Sequence, residues 1–571
     1  MNAGTAHGSA LQATQAGRWS AAVPLGLGAS LVWVLAFAWF AFWLHGQRFF
    51  DDDYTRWLPA ATSRPIGELA RAVASPFPSD WGFLDRPVIT LFFGVMHELF
   101  GREPTGYFLV KSAMGASVAV GVYVLSYVLL RPSLGAGCRG VAWRAGLAPA
   151  LWVASPQVFL SMLWLCDLAV LAELCLLGAV SLHLFASEHD PWRGPQPRGQ
   201  PAPQLARRRL AVWLAAQAAV LVVAYIGFKT KSSVKVLPVI LLAHAAWVHG
   251  KGAWRYAPVA ALLAAAAVPW ASLAHTPLPE FAGGSGAARA SGEPTPGYFW
   301  RAPDLTHAWR MLFELPSPGP DGGRVTPYSV LGAWFPWGWA SVLTLAVGAV
   351  VAVARRRKEH IGRGADASAT GVPRIGNPCL AVGIWLGLAL ATLLIYPEVP
   401  AGLRGRYLVG ALAPMSVLLT WAWVSSSRGA AWMAGVLLVV HLFTCCSQTL
   451  DAKRSIGLTI NLNDELRRRA EASDRDATFV YLLGQTDHGH WPSDRGNRYV
   501  TVPDGPAFEA RKDLSETKGR VYLIVDRTGP LHPRAQWMFT VTAPQDAYHR
   551  IIGHPQGPPQ LRAVYLWKAS P

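Results

Sequence analysis

The sequence predicts an all-α polytopic membrane protein with a small α/β domain at its C-terminal end. Hydrophobic residues make up 52% of the 571 positions, tryptophan alone occupies 26, and the mean hydropathy is positive at +0.25. Apolar runs close to the roughly 20 residues that cross a bilayer recur until about residue 450, where the composition becomes polar. Such a composition excludes a single soluble globular chain.

We predict about eleven membrane spans from these runs, separated by short connectors rich in arginine or in proline and glycine. The spans lie near residues 21–45, 106–130, 145–160, 163–186, 210–228, 233–249, 257–274, 331–353, 379–396, 407–424 and 429–448. The third and fourth form an almost continuous apolar stretch, in which only Ser155-Pro156 and Asp167 indicate a turn. The first has no small-residue cleavage site before the acids that follow it, so it is predicted to stay attached as an anchor.

The charges of the connectors predict the orientation, because every second connector carries the excess of lysine and arginine expected on the cytoplasmic side. These residues are Arg131, Arg139, Arg144, Arg193, Arg198, Arg207, Arg208, Arg209, Lys251, Arg255, Arg355, Arg356, Arg357, Lys358, Arg363, Arg374 and Arg428. The N-terminus is therefore predicted to be cytoplasmic. The predicted parts are a cytoplasmic tail (1–20), a transmembrane domain (21–449) with outer loops 46–105 and 275–330, and an extracytoplasmic α/β domain (450–571).

The net charge of +17 does not predict a nucleic-acid partner, since the basic residues are spread over loops on one side of a membrane. The six cysteines show no disulfide framework and no zinc spacing. No phosphate-binding glycine loop and no serine nucleophile elbow occurs with the flanking strand and helix that such motifs require, and several enzyme classes are therefore excluded. Frequent alanine, arginine, glycine and tryptophan are typical of a GC-rich bacterium and predict the inner (plasma) membrane as the location.

Three adjacent aspartates, Asp51, Asp52 and Asp53, follow the first span. Neighbouring carboxylates repel one another and disfavour a low-dielectric surrounding, so a triplet at a membrane surface calls for a compensating use. Solvated juxtamembrane acids are the alternative interpretation. Clustered carboxylates also provide the oxygen ligands that magnesium and manganese prefer, and the sequence leaves a divalent cation open.

Two short interfacial helices are predicted after the triplet. The spacing of Leu58, Ile66, Leu69 and Val73 suits one helix lying at the membrane surface. A second is predicted from Pro87 to Phe100. Both helices would wall a site beside the aspartates.

Two basic outer turns break the charge pattern of the connectors. Lys229, Lys231 and Lys235 crowd the turn between the fifth and sixth spans, and Arg404 and Arg406 precede the tenth. Cations at the outer lipid boundary attract a phosphate or pyrophosphate headgroup, each contributing about 1 kcal/mol. Lysines that snorkel without a ligand are the alternative for the first turn. Beside the acidic triplet, the two turns predict a site for an anionic lipid.

These features resemble the GT-C glycosyltransferases, membrane enzymes that take sugars from polyprenyl-phosphate carriers, and among them the bacterial GT39-type and tetratricopeptide-associated mannosyltransferases. The resemblance covers roughly residues 20–450. It is carried by the first-loop acid motif Asp52-Asp53-Tyr54, the interfacial helix opened by Arg86-Pro87, the lysine turn from Lys229 to Pro238, and Arg406-Tyr407 before a late span. It implies a GT-C-like fold, an outward-facing cavity, transfer with inversion at the sugar carbon and no nucleotide-sugar pocket.

The residue types fit the chemistry of such a transfer. A glycosyl phosphate already carries a good leaving group, so the protein must chiefly deprotonate the acceptor and neutralise the departing phosphate. We assign Asp52 as the base, Asp53 to positioning the acceptor or a divalent cation, and Asp51 as the alternate base. The predicted phosphate contacts are Lys229, Lys231, Lys235, Arg404 and Arg406, with Tyr54 and Arg86 supporting the first loop. A glycan, a lipid and a protein all remain open as the acceptor.

Two other functions fit the same topology. A transporter or flippase of lipid-linked glycans would bind a headgroup with the basic turns and couple ions through the acids. Such proteins typically show paired repeats and mid-membrane charges, whereas only Asp167 and Glu173 are acids well placed inside spans. A non-catalytic envelope scaffold is the third interpretation, and it leaves the aspartate triplet unexplained.

The tail beyond the last span is predicted to fold as a small α/β domain. A helix is predicted over Asp451 to Ala472, followed by strands within residues 477–484, 520–527 and 561–568. The domain is predicted to be extracytoplasmic, because eleven spans and a cytoplasmic N-terminus place the end of the last span on that side of the membrane.

Overall fold

The computed structural model describes a helical bundle and a smaller domain built on a sheet. The described residues are 4–45, 47, 57–75, 87–101, 103–134, 138–192, 202–267, 377–394, 409–425, 458, 461, 462, 465, 466, 468, 469, 477–482, 498–502, 505–515, 520–526, 531–542 and 561–567. These residues are mostly helical, and their strands all lie in the C-terminal part. The fold class therefore agrees with the sequence, while the count of about eleven spans stays a prediction.

The bundle begins with a long helix and the short helices of the first loop. These are α1 (Gly4–Leu44), α2 (Leu58–Thr62), α3 (Ile66–Ala74) and α4 (Pro87–Phe100). α4 has the predicted bounds, but the single interfacial helix predicted before it is split into α2 and α3. The break falls at Pro65, which disfavours a helical Arg64 and has no backbone N–H to donate. Leu58 and Leu69 are buried, as their spacing predicts.

In the next part of the bundle, two of the breaks between helices lie at the turn residues that the sequence predicts. Its helices are α5 (Pro104–Leu134), α6 (Cys138–Ala145), α7 (Leu147–Val153), α8 (Pro156–Leu163) and α9 (Ala169–Glu188). One interruption lies at the predicted turn, where Ser155 is extended and Pro156 opens α8. The other lies between α8 and α9 and contains Asp167, the second predicted turn residue.

The remaining described helices of the bundle are α10 (Ala202–Thr230), α11 (Leu237–His249), α12 (Ala257–Ala267), α13 (Asn377–Leu394) and α14 (Val409–Ser425). Short 3₁₀ segments, Ser232–Val236 and Gly250–Tyr256, join α10 to α11 and α11 to α12. Gly250 has a φ of 53°, a left-handed conformation that a glycine adopts without a Cβ clash, and α11 ends there.

Within the described residues, five helical segments are long and apolar enough to cross a membrane. They are Pro24–Leu44, Pro104–Arg131, Ala169–Glu188, Ala206–Thr230 and Ser233–Ala266. The last segment holds both α11 and α12, where two spans are predicted. The spans predicted near 379–396 and 407–424 correspond to α13 and α14, whose apolar parts are shorter. The spans predicted at 331–353 and 429–448, and the outer loop 275–330, lie outside the described residues.

Close helix contacts in the bundle depend on small residues. α1 packs on α5, and a Cβ at Gly28 would overlap the hydroxyl of Tyr123 and lie 2.7 Å from its Cζ. α9 packs on α10, and a Cβ at Gly227 would lie 3.0 Å from the Cβ of Cys175. Small residues at contact points are typical of membrane helices, whose association relies on close packing rather than on the hydrophobic effect.

The C-terminal domain contains a five-stranded sheet with the order β2-β1-β3-β5-β4. The strands are β1 (Thr478–Leu482), β2 (Arg498–Val502), β3 (Val521–Val525), β4 (Ala535–Thr542) and β5 (Leu561–Trp567), with α15 (Gly505–Ala510) and α16 (Lys512–Ser515) between β2 and β3. β2, β1 and β3 are parallel, whereas β5 is antiparallel to β3 and to β4. The sequence predicts the three inner strands and misses the two edge strands. Edge strands carry more polar residues because they are buried less, so their apolar runs are weaker.

Both faces of the sheet are covered. One face packs against Leu458, Leu462 and Leu466, whose spacing of four residues places them on one side of the predicted helix over Asp451 to Ala472. The other face packs under Phe508 of α15. The inner strands β1 and β3 are consequently buried throughout.

Candidate functional site

The structure describes only part of the predicted site. Asp51, Asp52, Asp53, Tyr54, Arg86, Arg404 and Arg406 lie outside the described residues. Lys229 is in the last turn of α10, Lys231 follows that helix, and Lys235 is in the 3₁₀ segment after it. The lysine turn thus has a described geometry, and the aspartate triplet stays a prediction.

The described residues on either side of the triplet are anchored in the bundle. Leu44 and Gln47 are buried, and the backbone N–H of Gln47 donates to the carbonyl of Leu44 at 3.1 Å. On the other side, Trp57 is 4% exposed and belongs to the main hydrophobic core. The chain therefore enters and leaves the triplet from buried positions.

Several helices begin or end at one end of the bundle. We call it the first-loop end, and it contains the ends of α1, α8 and α10 and the beginning of α9. Phe40, one turn before the end of α1, lies against Gly115, so α1 ends beside the N-terminal half of α5. α8 ends, α9 begins and α10 ends at the same level, because buried polar side chains join these three termini. Termini carry backbone groups without a partner inside their own helix, so polar side chains gather there.

Lys111 of α5 is fully buried and neutralises the end of α8. Its ammonium donates to the carbonyl of Ser161 at 2.7 Å and also to the carbonyl of Trp164. A cation at a helix C-terminus satisfies the last carbonyls and interacts favourably with the helix dipole. The arrangement fixes α5 to α8.

Asp167, between α8 and α9, is the centre of the polar cluster. Its carboxylate accepts from the ammonium of Lys231 at 2.8 Å and from the hydroxyl of Ser161 at 3.1 Å. The side chains of Lys231 and Asp167 are 8% and 6% exposed. The pair therefore holds the lysine turn on the α8–α9 connection.

The three lysines of the turn have different surroundings. Lys231 is buried in the ion pair, whereas Lys235 is exposed. Lys229 is half-buried, with its ammonium 5.6 Å from the ring centroid of Tyr225. The sequence treats them as one group, but Lys229 and Lys235 have more exposed side chains than Lys231.

Tyr225 joins α10 to the first loop. Its hydroxyl lies 2.8 Å from the carbonyl of Ser75 and 3.2 Å from that of Ala74, at the end of α3. The same ring lies beside Lys229, one turn further along α10. The end of α10 that carries Lys229 is thus in contact with the end of α3, which is far from it in sequence.

The interfacial helices also pack on each other and on the bundle. A Cβ at Gly94 of α4 would lie 2.7 Å from Cδ1 of Leu69 on α3, so the two helices cross closely. α4 in turn contacts α10 and α5. α3 and α4 therefore form a packed layer on α5 and α10. Their position beside the aspartate triplet stays a prediction.

Glu173, one of the two acids predicted within spans, binds two neighbouring helices. Its carboxylate accepts from the indole N–H of Trp152 on α7 and from the backbone N–H of Ala413 on α14, both at 3.2 Å. The side chain is fully buried. Glu173 therefore connects α7, α9 and α14 rather than facing an open channel.

A second polar cluster lies at the opposite end of α9. Nε2 of His183 and Nδ1 of His244 are 2.9 Å apart, and Nδ1 of His249 lies 3.1 Å from Asp190. The guanidinium of Arg255 stacks 4.5 Å from the ring centroid of Trp192. These contacts tie α9 to α11 and to the 3₁₀ segment after it.

Sequence reasoning missed Lys111, Ser161 and the three histidines His183, His244 and His249. Lys111 carries a usable signal, since an ionisable residue inside an apolar span is a candidate site residue by itself. Among the residues that the structure describes, no group of three or more histidine, cysteine, aspartate or glutamate side chains is arranged to hold a metal ion.

No protein-family model matches the chain, and no curated protein sequence matches it. Two crystal structures of ArnT from Cupriavidus metallidurans are similar to it. The structure bound to undecaprenyl phosphate aligns over 96% of this chain and 99% of its own, with 14% identity and a TM-score of 0.45. The apo structure aligns over 95% and 100%, with 13% identity and a TM-score of 0.46.

Proposed function

We propose that this protein is a membrane glycosyltransferase that moves a sugar from a polyprenyl-phosphate-linked donor to an acceptor at the extracytoplasmic face. One observation carries the proposal. The hydroxyl of Tyr225 bonds the carbonyl of Ser75 at the end of α3, and its ring lies beside Lys229. This contact supports the proposal, because α3 follows the aspartate triplet in the first loop and lies next to the cationic turn.

The proposed division of roles follows the chemistry. Asp52 removes the proton of the acceptor hydroxyl, Asp53 positions the acceptor or a divalent cation, and Asp51 is the alternate base. The bond between the sugar carbon and the phosphate oxygen breaks while the acceptor oxygen bonds that carbon. Negative charge then develops on the leaving phosphate, and nearby cations stabilise it.

The described contacts support different roles for the three lysines of the turn. Lys229 and Lys235 contact the phosphate in this proposal, together with Arg404 and Arg406. Lys231 positions the turn through Asp167, because its charge is already compensated. Tyr54 and Arg86 support the first loop. The proposed location is the inner membrane, with the N-terminus in the cytoplasm.

Transfer of labelled sugar from polyprenyl-phosphate donors tests the proposal, in membranes with wild-type protein or the Asp52→Asn variant at equal expression. Asp513→Asn is the matched control, because it removes an exposed carboxylate of the C-terminal domain. We expect transfer by wild type and by the control, and none by Asp52→Asn.

Three other outcomes of this experiment would each lead to a different conclusion. Full activity of Asp52→Asn keeps the transferase and moves the base to another residue, with Asp51→Asn as the next variant. Absence of wild-type transfer over a broad donor panel contradicts the enzyme. Translocation of a lipid-linked glycan without any transfer identifies a flippase instead.

A further inference from the structure

The C-terminal domain contains a cavity of about 350 Å³ between α15 and the sheet. Leu482 of β1 and Leu523 and Val525 of β3 form its floor, and Phe508 and Trp567 close it on the sides. Sites for small molecules in proteins are typically concave and about 300–1,000 Å³ in volume. The cavity is at the small end of that range.

The topology of the sheet places this cavity where α/β domains bind ligands. The chain passes from β1 to β2 on one side and then returns across β1 to β3 on the other. The connection after β1 and the connection after β3 therefore lead to opposite sides of the sheet order. In such sheets, ligands usually bind in the crevice outside the carboxyl ends of the two strands at which the connections separate. Leu482 is the last residue of β1 and Asp526 directly follows β3, and both line the cavity.

Small residues of α15 leave the space open. Gly505 and Pro506 lie at the helix start and line the cavity. A Cβ added at Gly505 would meet no atom within 4 Å. A methyl group is therefore accommodated there without a clash, and a longer side chain would extend into space that a ligand needs.

Three polar side chains line the cavity, and one of them has a defined tautomer. The backbone N–H of Arg534 donates to Nδ1 of His532 at 3.1 Å, so Nε2 is the protonated nitrogen of a neutral ring. Nε2 lies 3.5 Å from Oε1 of Glu509, and the ring packs on Trp567 with centroids 4.9 Å apart. The imidazole is held in place while Glu509 and Asp526 stay exposed.

The charges of the lining select the class of ligand. Two carboxylates, Glu509 and Asp526, face a cavity to which the described residues contribute no lysine or arginine. Carboxylates accept hydrogen bonds and repel anions. The cavity is thus opposite in charge to the lysine turn of the bundle, and a phosphate group does not suit it.

We infer that this cavity is a second ligand site, which binds a small hydroxyl- or amine-bearing ligand of about monosaccharide size. Glu509 and Asp526 accept hydrogen bonds from the ligand, and the apolar floor contacts its carbon framework. Binding itself is independent of the proposed transferase.

Saturation-transfer NMR on the full-length protein in detergent tests the inference with three probes of similar size. D-glucosamine carries an ammonium, D-glucose is neutral, and D-glucose 6-phosphate is an anion. We expect transfer to glucosamine and glucose, stronger for glucosamine, and none to the phosphate. The Glu509→Gln/Asp526→Asn variant should bind glucosamine at least about tenfold more weakly, because charged hydrogen bonds are lost.

Two further variants separate binding from folding. Asp513→Asn removes a carboxylate of the same domain outside the cavity and should bind as wild type does. Gly505→Leu should block both sugars while leaving the thermal unfolding midpoint close to that of wild type. Equal binding of the phosphate, no binding of either sugar, or unchanged binding by the carboxylate variant overturns the inference. If the protein binds sugars but transfers none, the proposed function is contradicted, whereas the inference that the cavity is a ligand site is supported.

Discussion

The ammonium of Lys231 lies 2.8 Å from the carboxylate of Asp167, and both side chains are more than nine-tenths buried. The pair joins the end of α10 to the connection between α8 and α9. It also distinguishes Lys231 from Lys229 and Lys235. A lysine whose charge is compensated inside the bundle attracts a phosphate headgroup only weakly. The lysine turn is therefore built from one anchoring lysine and two that remain accessible.

Breaking this pair should destabilise the bundle strongly. Asp167→Asn or Lys231→Met leaves one buried charge without its partner, which costs about 3–5 kcal/mol. The double variant should recover part of the loss, because no unpaired charge remains. Thermal unfolding in detergent measures both effects, with Lys235→Met as the exposed control. Single variants as stable as that control would contradict the buried pair.

The two accessible lysines should affect donor affinity. Each cation near an anionic surface contributes about 1 kcal/mol, so Lys229→Met or Lys235→Met should raise the KM for a polyprenyl-phosphate donor about fivefold. The effect should shrink as salt is added, because exposed charges are screened. Steady-state transfer at two ionic strengths measures it. Lys251→Met, at the opposite end of α11, is the control, and an equal rise in its KM would contradict a local phosphate site.

Tyr225→Phe should loosen the first loop without unfolding the bundle. The substitution removes the hydroxyl that contacts the carbonyls of Ala74 and Ser75, at a cost of about 0.5–1.5 kcal/mol. Hydrogen exchange of residues 66–75 should accelerate by about fivefold, which corresponds to about 1 kcal/mol. Tyr256→Phe, at the other end of the bundle, should leave that segment unchanged. Unaltered exchange in Tyr225→Phe would show that the loop is held by packing alone.

Sequence periodicity predicts the elements whose apolar pattern is strong. The predicted bounds of α4, the inner strands of the sheet and the turns at Ser155-Pro156 and Asp167 all agree with the structure, because each follows from local chemistry. The break at Pro65 has an equally local cause, although the apolar spacing across it favours one helix. The edge strand β4 is different, since the consecutive residues Gln536 and Trp537 are both exposed and its register shifts between Trp537 and Phe539, so the alternation that predicts a strand is interrupted.

The polar contacts of the site depend on tertiary structure and are not visible in local patterns. Lys111 and Ser161 are 50 residues apart, and Asp167 and Lys231 are 64 apart. A sequence shows that each charge lies near a span end, but not which helix end lies next to it. For this reason the sequence groups Lys231 with Lys229 and Lys235, whereas the fold gives it an anchoring role.

Gly28 provides a test of how closely α1 and α5 must approach. A Cβ at this position would overlap the hydroxyl of Tyr123, which is itself buried, so Gly28→Ala forces the helices apart or shifts the tyrosine. Overpacking of this kind costs about 1–3 kcal/mol. We therefore expect a lower thermal unfolding midpoint in detergent for Gly28→Ala.

The same helix supplies the matched control. A Cβ at Gly26 meets no atom within 4 Å, so Gly26→Ala adds a methyl group without a clash and should gain about 0.5–1 kcal/mol from the lower flexibility of the unfolded chain. Combining Gly28→Ala with Tyr123→Phe removes the overlapping oxygen and should restore part of the lost stability. If Gly28→Ala and Gly26→Ala unfold at the same temperature, α1 does not pack on α5 through Gly28. A double variant no better than Gly28→Ala would instead place the clash on the ring, since the Cζ is already within 2.7 Å.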